Sequence, residues 1–304
     1  MKKKRHLDVV QVDVFTDVPF GGNPAAVILD AHNISDETMC LIAQEMNVRE
    51  TVFVSKSSVA DFRFRYLTPN GELGFSGHPT IAGFLALVDA GQIQLRSDIT
   101  VHSLETSTGV LNVDIVKNEK AGLHEVQITH KTPQFLETYD PKEYAEAFGL
   151  SLADILSPNP LQTVSTGTPH LMIPVSTQRS LDRIRPDWER LAELHKQGDY
   201  ASISIFTRVT RDPTSDAQVR HFAPAFGVPE DPVSGSAAGS LGSYLIQYGL
   251  MEPTLPVTSI VVEQGHYLKR PGRIFVEVRG RKESIDQVKV SGTGVPILRG
   301  SISF

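Results

Sequence analysis

From residue 9 to 15 the chain reads V-V-Q-V-D-V-F, an alternation that predicts a half-buried strand, because successive strand side chains point to opposite faces. The turn-rich stretch V-P-F-G-G-N-P (18–24) separates it from an apolar run at 25–29, a second predicted strand. Helical spacing follows. Met39, Ile42, Ala43 and Met46 recur at steps of three and four, Ser35 stands where an N-cap belongs, and Asp36 and Glu37 suit the positive end of a helix dipole. These signals predict a helix over 35–47. Short strands are predicted at 51–54 and 62–67, and a nearly charge-free helix at 80–90 that closes on Gly91. Further strands fall at 99–102, 109–115 and 125–129.

The pattern then restarts. T-V-S-T-G-T-P (163–169) leads into an apolar strand at 171–175, and a helix is predicted over 181–196, its longer part beginning at Asp187. Strands at 202–208 and 218–222 precede a second nearly charge-free helix at 237–248, closed by Gly249. Strands at 259–263, 273–278, 287–291 and 297–303 complete the chain. Laid on each other, the halves share landmarks in the same order. G-N-P-A-A-V-I (22–28) matches G-T-P-H-L-M-I (167–173), and R-Y-L-T-P (65–69) matches R-H-F-A-P (220–224). E-L-G-F-S-G-H (72–78) matches E-D-P-V-S-G-S (230–236), two copies of E-x-x-x-S-G before a helix. A repeat this long is no solenoid; it predicts two similar domains. They are expected at 1–130, with 288–304 as a candidate return of the last strand, and at 131–287.

Composition narrows the class. With 40% apolar and 21% charged residues, the 304-residue chain can bury a full core without staples. A formal net charge of -6 argues against a nucleic-acid partner, and the one dense basic run, Lys2-Lys3-Lys4-Arg5, is expected to be a solvated start. That start runs into an alternating pattern, so neither a secretory signal nor a membrane span is expected. Cys40 is the only cysteine, which excludes an internal disulfide and a thiol-based zinc site and fits a cytoplasmic location. The ten histidines show no tight metal-ligand spacing, and the nucleotide, zinc-protease and nucleophile-elbow motifs are missing.

The repeated loop carries the candidate chemistry. A glycine at a helix start brings unpaired N–H groups and partial positive charge close to a ligand, which suits a carboxylate, a phosphate or a developing enolate. Gly77 and Gly235 serve equally as plain helix-start turns. His78, in the first copy, can move protons near neutral pH or simply pack at the helix start; Ser236 takes its place in the second. Glu50, leading into a strand, can face solvent or a cleft, and Asp231, beside Pro232, can be an ordinary turn residue. In a dry cleft either carboxylate would act as base and then acid.

Four stretches together resemble the PhzF-like family, the phenazine-biosynthesis-like isomerases, over nearly the whole length. They are V-D-V-F-T-D-V-P-F-G-G-N-P-A-A-V (12–27), E-M-N-V-R-E-T-V-F-V (45–54), F-S-G-H-P-T-I-A-G (75–83) and E-D-P-V-S-G-S-A-A-G (230–239). The resemblance implies an α+β fold like that of diaminopimelate epimerase: two pseudo-symmetric domains, each a curved, mostly antiparallel sheet wrapped around a central helix. It implies catalytic roles for Glu50, His78 and Asp231, and substrate binding at Gly77, Gly235 and Ser236. It further implies a cofactor-free, metal-free homodimer acting on a small carboxylate. In the family's best-understood member, a glutamate takes a proton from one ring carbon of a dihydro-hydroxyanthranilate, and a proton returns to another. Related epimerases use two facing thiols, which a chain with Cys40 alone lacks. An epimerase using carboxylates, a non-catalytic metabolite-binding relative and a hydrolase acting through Ser236 stay open as alternatives.

Overall fold

The structure is a computed structural model in which residues 5–118, 123–224, 227–282 and 284–304 are described; Lys2, Lys3 and Lys4 lie outside them. The chain divides into two compact units. One is Met1–Ile128 with Ser291–Phe304, the other Thr129–Val290.

In the first unit β1 (His6–Val14) pairs antiparallel with β2 (Asn23–Ile28) on one side and with the C-terminal strand Gly294–Ser303 on the other. The helix α1 (Asp36–Met46) then returns the chain so that β3 (Glu50–Ser55) runs parallel to β2. Ser35 caps this helix by accepting from the Thr38 amide at 3.2 Å, and Asn47 closes it in the left-handed region that Asn tolerates. Met39, Ile42 and Ala43 pack its apolar stripe on Leu7, Val9, Ile28 and Phe53. β4 (Phe62–Thr68) pairs antiparallel with β3 and with the short β5 (Gly71–Leu73). After α2 (Gly77–Asp89), β6 (Ile99–Thr106) pairs parallel to β4 and forms a hairpin with β7 (Gly109–Val116), which β8 (Glu125–Thr129) extends.

The second unit repeats that pairing scheme. It opens with β9 (Gln134–Tyr139), α3 (Pro141–Ala147) and β10 (Leu161–Ser165), which lies antiparallel to β9 and to β11 (Pro169–Pro174). The helices α4 (Gln178–Arg183) and α5 (Trp188–Lys196) then lead to β12 (Ser202–Thr207), parallel to β11. β13 (Ala217–Ala223) pairs antiparallel with β12 and with the short β14 (Val228–Asp231). After α6 (Gly235–Gln247), β15 (Thr258–Gln264) runs parallel to β13 and antiparallel to β16 (Gly272–Arg281), and β17 (Ser284–Gly292) follows. The two units therefore share one sequence of strand pairings: parallel, antiparallel, antiparallel, parallel, antiparallel.

Each unit encloses one helix. α2 is buried continuously from His78 to Leu87 and packs on β1, β2, β3 and the C-terminal strand. α6 is buried on nearly every face and packs on β10, β11 and β16. Only a sequence free of charge over its middle turns can be covered on all sides, and that is what both helices carry. Close packing explains one glycine in α2. A Cβ on Gly83 would sit 2.5 Å from Cε2 of Phe64, a fully buried ring that also meets Phe84 at 5.1 Å between centroids. The ring has nowhere to retreat, so Gly83→Ala is expected to lower stability by about 1–3 kcal/mol despite Ala's better helix propensity. Thermal denaturation checks this, and a melting temperature equal to or above wild type would contradict it.

The helix expected over 181–196 is two helices. Pro186 has no amide hydrogen to give and crowds the preceding turn, so α4 stops at Arg183 and α5 restarts at Trp188 from an Asp187 cap. The buried helices start earlier than expected, at Gly77 and Gly235 instead of 80 and 237, so both glycines are the first helical residues.

Candidate active site

Glu50 is the first residue of β3, held opposite Ala25 by the parallel register with β2. It is 5% exposed. Ser76 hydrogen-bonds its carboxylate, and Arg49 Nε lies 3.8 Å from Oε1. Among the described residues no hydrogen-bond partner reaches Oε2. Burial pushes the carboxyl above the ordinary glutamate value, and Ser76 and then Arg49 oppose that shift.

Ser76 explains why this carboxylate meets the start of α2. It is the N-cap residue, with extended backbone, yet its hydroxyl does not cap the helix. Two further groups fix it. Thr80 donates its hydroxyl to the Ser76 carbonyl at 2.6 Å, so the Tyr66 hydroxyl, 2.7 Å from Thr80 Oγ1, is the donor in that pair. Burial, and then the charge of Glu50, keep the Tyr66 phenol neutral by raising it. Gly77 follows, and a Cβ built on it would touch nothing within 4 Å, so no crowding in its own unit demands a glycine there. His78, second in the helix, is buried.

The second unit places Asp231 at the end of β14, buried and opposite His221 of β13. Gln264 staples the loop beyond it. Its amide donates to the Asp231 carbonyl at 2.8 Å, and its oxygen accepts from the Ser234 amide at 3.2 Å. Ser234 is the N-cap of α6 and, like Ser76, makes no side-chain cap. Gly235 and Ser236 open the helix. Ser236 Oγ lies 3.1 Å from Nε2 of His170, whose Nδ1 lies 2.6 Å from Ser202 Oγ.

The repeated glutamate of E-x-x-x-S-G has the same task in both units. Glu72 receives a two-pronged hydrogen bond from Arg65 (2.8 and 2.6 Å), and Glu230 receives one from Arg220 (2.9 and 2.8 Å). Each pair ties the short strand before the glycine turn to its longer neighbour and so fixes where the helix begins.

The structure thus gathers Glu50, Gly77 and His78 at the start of α2 in the first unit. It gathers Asp231, Gly235 and Ser236 at the start of α6 in the second. Ser76, Tyr66 and His170 also belong to these clusters and lie inside the repeated stretches 72–78, 65–69 and 167–173, His170 opposite Ala25 in the alignment of halves, but nothing local gives them a role; Gln264 lies outside any motif. Cys40 is half-buried on α1. Among the described residues no cluster of His, Cys, Asp or Glu could hold a metal ion, and no helix is long and apolar enough to cross a membrane. Chemically, the first cluster offers a desolvated carboxylate with one unengaged oxygen at the positive end of a helix. Both clusters offer helix-start amides that no side chain caps.

Comparison with known proteins agrees on one family. The model of the phenazine biosynthesis-like protein family matches residues 12–300. The uncharacterized isomerase YfhB of Bacillus subtilis is 32% identical, over 96% of this chain and 97% of its own. The trans-2,3-dihydro-3-hydroxyanthranilate isomerase of Pseudomonas fluorescens is 31% identical, over 96% of this chain and 98% of its own. Among solved structures, a PhzF-family phenazine biosynthesis protein from Bacillus anthracis aligns with a TM-score of 0.87 at 30% identity, over 98% of this chain and 99% of that one.

Proposed function

The chain belongs to the phenazine biosynthesis-like family of isomerases, and from that premise we propose that it moves a proton between two carbons of a small cyclic or unsaturated carboxylate without a cofactor. Glu50 takes the proton and returns it. His78 and Asp231 complete the proton network, and Gly77, Gly235 and Ser236 hold the substrate carboxylate through helix-start N–H groups and the Ser236 hydroxyl. One observation supports this reading above the others: Glu50 is buried, raised in pKa and left with Oε2 unengaged beside an uncapped helix start. A carboxylate kept for structure would have both oxygens satisfied, since an unmet buried acceptor costs about 1–3 kcal/mol. The relative's substrate supplies the first probe.

With trans-2,3-dihydro-3-hydroxyanthranilate and a panel of cyclic amino-carboxylates in deuterium oxide, proton NMR is expected to show a relocated double bond with one deuterium on the receiving carbon. Deuterium at a single carbon with inverted configuration would instead mark an epimerase. Release of hydrolysis products, or turnover undiminished in Glu50→Gln, would overturn the reading. The same proposal puts the enzyme in the cytoplasm as a homodimer, for which sedimentation should return twice the 33.3 kDa chain mass.

A further inference from the structure

A buried line of hydroxyls and imidazoles runs beside the first turns of α6. His170, on β11, is 2% exposed, and its ring contacts the His221 ring edge-to-face at 5.4 Å. His221 is in turn bonded through Nδ1 to Ser204 Oγ at 2.8 Å. Burial first, and His130 second, hold His170 down at about 3, so its imidazole is neutral. A neutral imidazole has one donor and one acceptor nitrogen, and its neighbours decide which is which.

Ser202 decides it here. Its hydroxyl is 2% exposed, and among the described residues its one hydrogen-bond partner is Nδ1 of His170 at 2.6 Å. A buried hydroxyl hydrogen without an acceptor costs free energy, so Ser202 donates and Nδ1 accepts. The ring proton then sits on Nε2, which points at Ser236 Oγ, 3.1 Å away. Ser236 accepts from the ring, and its own hydrogen is released from the interior. Its other neighbour, Ser234 Oγ, lies at a long 3.4 Å.

We propose that His170 is a positioning residue: by donating Nε2–H to Ser236 it turns the Ser236 hydroxyl outward as a donor to a carboxylate at the start of α6. This rests on the substrate-binding role given to Ser236 above. The line Ser236–His170–Ser202 has the connectivity of a hydrolytic triad but the opposite polarity. There the imidazole must take the serine's proton, whereas here it gives one. The wiring therefore suits an anion-holding hydroxyl and not a nucleophile.

Two measurements test it. Nitrogen-15 NMR of histidine-labelled protein, with His170→Gln to assign the signals, is expected to report Nε2 protonated and Nδ1 bare in the free enzyme. A proton on Nδ1, or a doubly protonated ring near neutral pH, would overturn the proposal. Calorimetric titration with anthranilate is expected to show binding about tenfold to a hundredfold weaker in His170→Leu and in Ser236→Ala, the weight of a hydrogen bond to a charged group. His170→Gln carries an amide nitrogen near the Nε2 position and should recover most of the affinity, which a purely structural role would not predict. Affinity unchanged in His170→Leu, or phosphonate labelling of Ser236, contradicts the proposal. Wild type indifferent to anthranilate but carrying the Nε2 proton would count against the substrate reading while supporting the assigned wiring.

Discussion

Glu50→Gln is expected to cut turnover by about a hundredfold to ten-thousandfold, the usual range for loss of a general base, while the protein stays folded and becomes more stable at neutral pH. The amide keeps the shape of the carboxylate and can still meet Ser76, so packing around β3 and α2 is preserved. The stability gain follows from the raised pKa. Folded protein holds the Glu50 proton more tightly than unfolded chain does, so this group favours folding at pH below its unfolded value, and that contribution is lost as pH rises through the folded value. At neutral pH the folded wild type either holds a desolvated negative charge or keeps a proton that the unfolded chain gives up, and the Gln variant bears neither cost. The gap in melting temperature between the two should therefore open from about pH 4 toward pH 8 and close again in acid. Differential scanning fluorimetry of both proteins across that range checks it. A variant less stable than wild type at every pH would make Glu50 a structural anchor.

The largest loss of stability is expected from Arg220→Met. Arg220 is 9% exposed, donates two bonds to Glu230 and a third to the Leu181 carbonyl at 3.1 Å, and lies 4.4 Å from the centroid of the Tyr267 ring. Removing it strands a carboxylate that is itself only 15% exposed, which costs about 3–5 kcal/mol when a buried pair is broken from one side. Arg65→Met removes the equivalent pair of the first unit. Its partner Glu72 is 34% exposed and its second partner Asp36 is 82% exposed, so water takes over and the loss should be about 1 kcal/mol or less. Chemical denaturation of both variants compares them. The double change Arg220→Met with Glu230→Leu should regain much of the loss, since no lone charge is left behind. Equal costs at the two sites would mean that burial does not set the strength of these clamps. Because Glu230 immediately precedes Asp231, weakening this clamp is also expected to lower activity before the protein unfolds.

The repeat was readable because its landmarks are backbone chemistry. The G-x-P turn before β2 and β11, the Arg–Pro spacing along β4 and β13, and the S-G start of α2 and α6 depend on local geometry, so they survive in sequence where side-chain packing drifts. β10 was hidden for the opposite reason. All five residues of L-Q-T-V-S are buried, so no alternation marks the strand, and its Gln162 is held by a distant group, donating to the Leu136 carbonyl at 2.8 Å. α3 carried its signals, an Asp140 cap and Pro141 in the first turn, but at seven residues it is too short for periodicity to establish. The halves of the candidate site differ in the same way. Glu50, His78 and Asp231 stand inside motifs, whereas His170 matters only through Ser202 and Ser236, which are 32 and 66 residues away. Pairings at that distance come from strand register and not from any local pattern.

The proposed proton transfer depends on the electrostatics of one carboxyl group, and these can be read without a substrate. Carbon-13 NMR of protein labelled at the glutamate side-chain carboxyls, with Glu50→Gln to identify the missing signal, gives the titration midpoint of Glu50 directly. A midpoint clearly above the ordinary glutamate value is the predicted result, because burial outweighs the help from Ser76 and Arg49. A midpoint at or below that value would mean a well-solvated or firmly paired carboxylate, and Glu50 could not be the poised proton carrier described above.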